Sequence, residues 1–401
     1  MNIAIWGYGT VGNGVAQVLD INRELIEKRA GKSLNIKYIL DLREFPGDPY
    51  EDRVIHNVDI CLNDPDVDII CETMGGNEPA YTFTKRALAS GKSVCTSNKE
   101  LVANHGAELI ALAKQNQCSY LFEASVGGGI PVIRVLNECL TAETVLEMSG
   151  ILNGTTNYIL TKMEKEGAEF ADALKEAQEK GYAERNPEAD VEGYDACRKI
   201  AILSSLSAQK NVDFKDIYTE GITKITSGDF DYADVMDMTI KLLAVSAKKD
   251  GSYLASVAPY MVSKESPLAG VNDVFNAVFV KGNTLGDTMY YGKGAGKLPT
   301  ASAVMADVVK CAQNQGTHVE ILWEDSKAEV LSFEDAQNRF FVRTAAEDAG
   351  AVRELFGKVT EISLEQYPEE FGFVTGSFTE KEAKEKFAKL PGLISRIRIK
   401  E

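Results

Sequence analysis

"NIAIWGYGTVGNGVAQVLD", residues 2–20, decides the fold. A short apolar run with β-branched residues, Asn2 to Trp6, meets Gly7-x-Gly9-x-x-Gly12 and passes at once into a stretch that reads as a helix. In that strand–turn–helix context each glycine has its own task. Gly7 makes the tight turn and Gly9 lets backbone approach a pyrophosphate. Gly12 lets the helix pack close to the strand, and the helix N-terminus faces the anion. The stretch predicts a dinucleotide-binding unit.

Working outward, "IKYILDL" reads as a second strand ending near Asp41. An acid there hydrogen-bonds an adenosine ribose hydroxyl and favours NAD, whereas Arg43 would meet the 2′-phosphate of NADP; the choice stays open, leaning to NAD. Alternation continues with "VDIICETMGG", "PAYTFTKRALASG", "KSVCTS", "HGAELIALAKQN" and "CSYLFEAS" as strand, helix, strand, helix, strand. Repeated β-α-β predicts an α/β domain with a doubly wound parallel sheet. Its ligand edge is the carboxyl ends of the strands, where "ETMGG", with Thr73, and "SNKE", with Ser97 and Lys99, fall.

At 401 residues the chain is long enough for two or three domains. A net charge of −17 argues against nucleic acid or an anionic membrane as partner. No run approaches the roughly 18 apolar residues of a membrane helix, and the first residues do not read as a signal peptide. The seven cysteines show no metal-binding spacing and read as reduced, cytoplasmic thiols. Three histidines, His56, His105 and His318, leave few candidates for a zinc site or a Ser-His-Asp triad.

In "GYAERNPEADVEGYDACRKIAILSSL", residues 181–206, Asp195 and Lys199 lie four apart and share one helix face. On a solvated helix such a pair is an ordinary ion pair. The apolar "IAILSSLSA" that follows predicts a helix buried on several faces, and a buried charge needs a reason.

The motifs "GYGTVG", "ETMGGNEPA", "TSNKELVANHG", "FEASVGGGIPVI", "GILNGTTNYIL", "GYAERNPEADVEGYDACRKIAIL" and "GKGAGKLPTASAVMADVV" follow one another from residue 7 to about 309. In that order they resemble the homoserine dehydrogenases. The resemblance implies reversible, NAD(P)-dependent hydride transfer between L-homoserine and L-aspartate 4-semialdehyde on the route to threonine and methionine. It implies Lys199 as proton donor, Lys99 as a lysine at cofactor and substrate, and Asp195, Glu184 and Asp190 as the acids of the substrate pocket. The cofactor set it implies is Gly7, Gly9, Thr10, Val11, Gly12, Asp41, Arg43, Thr73, Ser97, Lys99, Gly181 and Gly296. "EASVGGGIPV" resembles the family's loop for a monovalent cation, usually sodium, bound through Glu123 and the backbone of Val126, Gly128 and Ile130; oxygen ligands suit a hard cation. A helix is expected from Ile130-Pro131, proline suiting a first turn. Another is expected after Asn153-Gly154, with threonines capping it or meeting substrate.

The expected organisation is a Rossmann domain over 1–130 with a return segment over 292–312, a substrate-binding and dimerisation α+β domain over 131–291, a linker over 313–337 with one short strand, and a tail over 338–401. The tail reads as βαββαβ, ferredoxin-like, and resembles an ACT domain. Two readings of it stand: an amino-acid sensor, with threonine as effector, or an assembly platform without ligand. The resemblance implies a homodimer or homotetramer. Competing readings are a sugar oxidoreductase, against which the cation loop and the Asp195–Lys199 pair speak, and a phosphorylating semialdehyde dehydrogenase, which needs a cysteine nucleophile in a basic setting. A silent NAD-binding regulator is the alternative from another class.

Overall fold

The computed structural model describes residues 1–400. The chain forms two compact units, each assembled from three segments: Met1–Thr144, Ala201–Phe214 and Tyr290–Ala328 in the first, Val145–Ile200, Lys215–Met289 and Glu329 onward in the second.

In the first unit six parallel strands, β1 (Asn2–Trp6), β2 (Asn35–Leu40), β3 (Val54–Ile55), β4 (Val67–Glu72), β5 (Ser93–Thr96) and β6 (Tyr120–Leu121), lie in the order β3-β2-β1-β4-β5-β6. Helices α1 (Thr10–Ala30), α2 (Val58–Leu62), α3 (Ala80–Ala89) and α4 (Lys99–Gln115) connect them. An all-parallel sheet is covered on both faces, which is why β1 is an unbroken apolar run; Ile3 to Trp6 are wholly buried. The strand order reverses between β2-β1 and β4-β5, and that switch point puts the crevice at the carboxyl end of β1. The helix Lys297–Gln313 packs on α1 at Gly14, where a Cβ would stand 2.8 Å from the Lys297 carbonyl.

Three local expectations change. α4 begins at Lys99 rather than near His105, because the Asn98 side chain accepts the Leu101 N–H at 3.1 Å and caps the helix early. The strand expected over "CSYLFEAS" is only Tyr120–Leu121 and gives way to a 3₁₀ turn over Glu123–Ser125. The helix expected from Ile130-Pro131 is a π-helical turn over Val135–Cys139. The strand in the linker exists, Glu324–Lys327, paired with Lys210–Asn211.

In the second unit β7 (Val145–Ile151) leads into α5 (Gly154–Glu166), followed by α6 (Phe170–Glu179), α7 (Glu188–Val191) and α8 (Tyr194–Ala208), whose first half belongs here. The sheet runs from Phe275–Gly282 through β7 to the hairpin Met238–Lys249 and Ser252–Ser263. It then continues into the tail: Leu393–Lys400 pairs in parallel with Ser252–Ser263, through Tyr260 with Arg398 and Val262 with Lys400. The tail strands Gln337–Ala345, Thr360–Ile362, Glu370–Val374 and Leu393–Lys400 are mutually antiparallel, the first lying between the fourth and the third. Helices Ala349–Phe356 and Glu380–Phe387 cover them over a core of Phe340, Val342, Phe356, Phe373 and Phe387. Among the described residues no helix is long and apolar enough to cross a membrane.

Candidate active site

The glycine turn stands as the motif requires. Gly7 has φ +83° and donates its N–H to the Leu40 carbonyl at 2.8 Å, and a Cβ on Gly12 would fall 2.0 Å from the Gly7 carbonyl oxygen. Thr73 locks the turn from β4, its hydroxyl donating to the carbonyls of Gly7 at 2.7 Å and Trp6 at 3.0 Å. Thr10 and Val11 open α1, with Thr10 exposed at its first position. Asp41, just past β2, accepts the Tyr8 N–H at 2.7 Å and a two-pronged bond from Arg43, Nε at 2.9 Å and Nη2 at 3.0 Å. The guanidinium beside it holds the Asp41 carboxyl at about 2, and the two N–H groups act in the same direction. Between these groups lies a cavity of about 540 Å³ lined by Gly7, Gly9, Asp41, Leu42, Arg43, His56, Thr73, Met74, Pro79 and Phe83. It pairs apolar walls with the fixed Asp41 carboxylate, the exposed Arg43 guanidinium and the His56 ring.

Ser97 and Lys99 follow β5, Lys99 as the first residue of α4. A cation at the first residue of a helix opposes the helix dipole. Glu72, which sequence reasoning passed over, organises this edge. Buried at the end of β4, it accepts the Thr96 hydroxyl at 2.5 Å and the Met74 N–H at 2.8 Å, and Thr96 in turn accepts the Asn98 N–H at 2.9 Å. Burial pushes its carboxyl up.

In the second unit α8 carries the lysine. The Lys199 ammonium, 9% exposed, donates to Asp195 Oδ2 at 2.7 Å and to the Leu152 carbonyl at 2.7 Å. Asn153 binds the acids together: its Nδ2 donates to Asp190 Oδ1 at 2.8 Å and to Asp195 Oδ2 at 2.9 Å, while its Oδ1 accepts the Thr156 N–H and caps α5. Asn153 therefore takes the capping role expected of the threonines; Thr155 instead donates to the Tyr182 carbonyl at 2.7 Å. Asp190, Asp195 and Lys199 thus converge. Glu184 and Gly181 lie on the exposed turn between α6 and α7, Gly181 with φ +73°, and the backbone carbonyl of Glu184 accepts from Gln178. A buried amine held by a carboxylate and a carbonyl has its direction fixed.

The model of the homoserine dehydrogenase NAD-binding domain matches residues 7–123, and that of homoserine dehydrogenase matches residues 131–309. The enzyme of Bacillus subtilis is 42% identical over 318 residues, covering 78% of this chain and 73% of that one. That of Pseudomonas aeruginosa is 36% identical over 411 residues, covering 100% and 93%. The chain belongs to the homoserine dehydrogenase family. Among solved structures, a homoserine dehydrogenase from Thiobacillus denitrificans superposes with a TM-score of 0.92 at 34% identity, covering 100% of this chain and 98% of that one. A hyperthermophilic archaeal homoserine dehydrogenase in complex with NADPH gives 0.66 at 29%, covering 80% and 99%. The protein is an NAD(P)-dependent oxidoreductase that acts on a small molecule.

The loop after β6 is a buried electrostatic knot. Gly127 and Gly128 have φ +71° and +55°, and a Cβ on Gly128 would stand 2.4 Å from the Gly294 carbonyl. Val126 and Ile130 are buried, and the Ile130 carbonyl accepts the Val132 N–H. Glu123 accepts the N–H groups of Ile133 at 2.9 Å and Arg134 at 2.8 Å, and its own N–H donates to Asp307 Oδ2. Asp307 pairs with Arg134 at 2.6 Å. Two carboxyls face one guanidinium, and burial pushes both up, Asp307 to about 7, so the knot favours keeping one of them protonated. Each Glu123 oxygen accepts one backbone N–H and keeps a second acceptor site. Among the described residues no three His, Cys, Asp or Glu side chains form a metal cluster. Gly296, φ +123°, caps the Lys297–Gln313 helix.

Proposed function

We propose that the protein catalyses the reversible conversion of L-aspartate 4-semialdehyde to L-homoserine. The observation that carries this is the buried Lys199 amine, fixed by Asp195 and the Leu152 carbonyl on the first half of α8. When bound, a nicotinamide cofactor supplies the hydride to the aldehyde carbon. Lys199 Nζ delivers a proton to the carbonyl oxygen and recovers one from the alcohol in reverse. Asp195, Asp190 and Glu184 hold the substrate ammonium, and Lys99 serves the carboxylate or the cofactor. Gly7, Gly9, Thr10, Val11 and Gly12 cradle the pyrophosphate, Asp41 or Arg43 receives the adenosine ribose, Thr73, Ser97 and Gly296 meet the cofactor, and Gly181 lies against the nicotinamide. The spare acceptor sites of Glu123 beside the glycine loop support sodium or another monovalent cation held with the carbonyls of Val126, Gly128 and Ile130, in a structural role.

The tail is proposed as a ferredoxin-like, ACT-like module, supported by its βαββαβ order and by Asp348, which ties the helix start to Thr344 and to the Gly392 N–H. It either senses an amino acid such as threonine or serves assembly into a homodimer or homotetramer. The free cysteines, six of the seven buried, fit a cytoplasmic enzyme. The decisive experiment is oxidation of L-homoserine followed through the reduced cofactor, comparing wild type with Lys199→Ala. Loss of a proton-transfer group predicts a fall in kcat of roughly 10²- to 10⁴-fold with an unchanged circular dichroism spectrum. Near-wild-type turnover in the variant removes Lys199 from the chemistry.

A further inference from the structure

His56 follows β3 and lines the same cavity as Asp41 and Arg43. Both of its ring nitrogens face acceptors: Nδ1 lies 2.7 Å from the Asp41 carbonyl oxygen, and Nε2 lies 2.8 Å from Glu44 Oε1. A neutral imidazole has one N–H and can satisfy only one of them as donor, whereas the imidazolium satisfies both. The side chain is about half exposed, so solvent protons reach it. The charged groups acting on the ring are Glu44, from the loop after β2, and Asp41, at the end of β2; both raise its proton affinity.

The two nicotinamide dinucleotides differ in this cavity by one group, a 2′-phosphate in place of a hydroxyl. As built, the cavity offers that hydroxyl the Asp41 carboxylate, which stays ionised throughout the neutral range. A phosphate meets repulsion from Asp41 and attraction from Arg43, whose charge is constant. His56 is the neighbouring group whose charge changes near neutrality. We propose that His56 is a specificity-determining residue for the cofactor, its protonation opening the adenosine cavity to a 2′-phosphate so that the preference for NADP over NAD rises as pH falls. The inference rests on the dinucleotide reading of the cavity.

The test is the dissociation constants of NADH and NADPH, and of 5′-AMP and adenosine 2′,5′-bisphosphate as probes of the adenosine end, between pH 5.5 and 8.5. The expected result is a roughly three- to tenfold rise in the affinity ratio favouring the 2′-phosphate on acidification, the effect of one unit charge at a solvent-screened distance. Protonation of the 2′-phosphate itself, near pH 6, weakens its attraction to Arg43 and its repulsion from Asp41 alike, and the His56→Gln protein carries that same contribution, so the share of His56 is the difference between the two slopes. His56→Gln should flatten the ratio, and Glu44→Gln, which keeps the ring and removes its acid, should move the midpoint to lower pH. A wild-type ratio that is flat or falls on acidification, or a His56→Gln protein that keeps the slope, overturns the proposal while leaving the cofactor site standing. Failure of every one of these ligands to bind overturns the cofactor reading and this inference with it.

Discussion

The Asn153 side chain divides its two atoms between folding and chemistry, the oxygen capping α5 and the amide nitrogen bridging Asp190 and Asp195. Asn153→Asp keeps a capping oxygen but sets a third carboxylate against two others. The expected outcome is a fall in kcat/KM for homoserine of ten-fold or more together with a lowered melting temperature, measured by steady-state kinetics and calorimetry. The Asp195–Lys199 pair was legible because residues four apart on a helix meet whatever the fold. Asn153, Glu72, Arg134 and Asp307 were not, since each gains its partners only through tertiary packing. Lys241, wholly buried in Met238–Lys249, belongs with them: its amine donates to the Val271 carbonyl and Asn272, and burial pulls it down to about 8. Below pH 8 the folded chain must bury a charged amine. Between about 8 and the unfolded value of 10.5 the unfolded state holds more protons, so stability rises with pH by up to about 3 kcal/mol. Lys241→Met should abolish that rise, and melting temperatures from pH 7.5 to 10.5 for both proteins check it.

At the level of elements, the glycine turn and its strands were readable because the βαβ pattern is local in sequence. Gly14 was not singled out, since nothing around "NGVAQ" reveals that a helix nearly 300 residues later lies against it. The two glycines of α1 therefore make different predictions. A methyl at Gly12 meets backbone at the Gly7 carbonyl and the Thr73 hydroxyl, so Gly12→Ala should distort the pyrophosphate turn and weaken dinucleotide binding by ten-fold or more in a fluorescence titration. A methyl at Gly14 meets the Lys297 carbonyl at 2.8 Å and the Ala301 side chain at 3.0 Å, away from the turn. Gly14→Ala should cost roughly 1–3 kcal/mol of stability by overpacking, with smaller effects on cofactor affinity, which separates packing from binding in one helix. The start of α4 was misplaced because a side-chain cap set it: Asn98 starts the helix at Lys99 and thereby places that lysine on the first turn.

At the scale of the molecule, the tail's order of elements could be read from its alternating pattern, but its attachment could not. Pairing between Ser252–Ser263 and Leu393–Lys400 joins strands about 130 residues apart and leaves no local signature. The attachment is reinforced by charge. Arg398, 3% exposed, grips Glu380 through Nε at 2.6 Å and Nη2 at 2.8 Å, and Glu220 through Nη1 at 2.6 Å. Glu220 adjoins Gly221, which packs on the Val191 carbonyl so closely that a Cβ would stand 2.2 Å away, and the Ile222 N–H donates to that same carbonyl at 2.8 Å. Val191 ends α7, next to Asp190 and its bond to Asn153. The tail's last strand is thereby connected, contact by contact, to the acids around Lys199. Arg398→Met leaves the buried Glu380 and the partly buried Glu220 without their cation and should destabilise the protein by roughly 3–5 kcal/mol. Adding Glu220→Gln and Glu380→Gln removes the orphaned charges and should restore most of the melting temperature. If the contacts position Asp190, that restored triple variant should still show a raised KM for homoserine with kcat little changed, whereas a purely structural anchor would return both constants to wild type along with the stability.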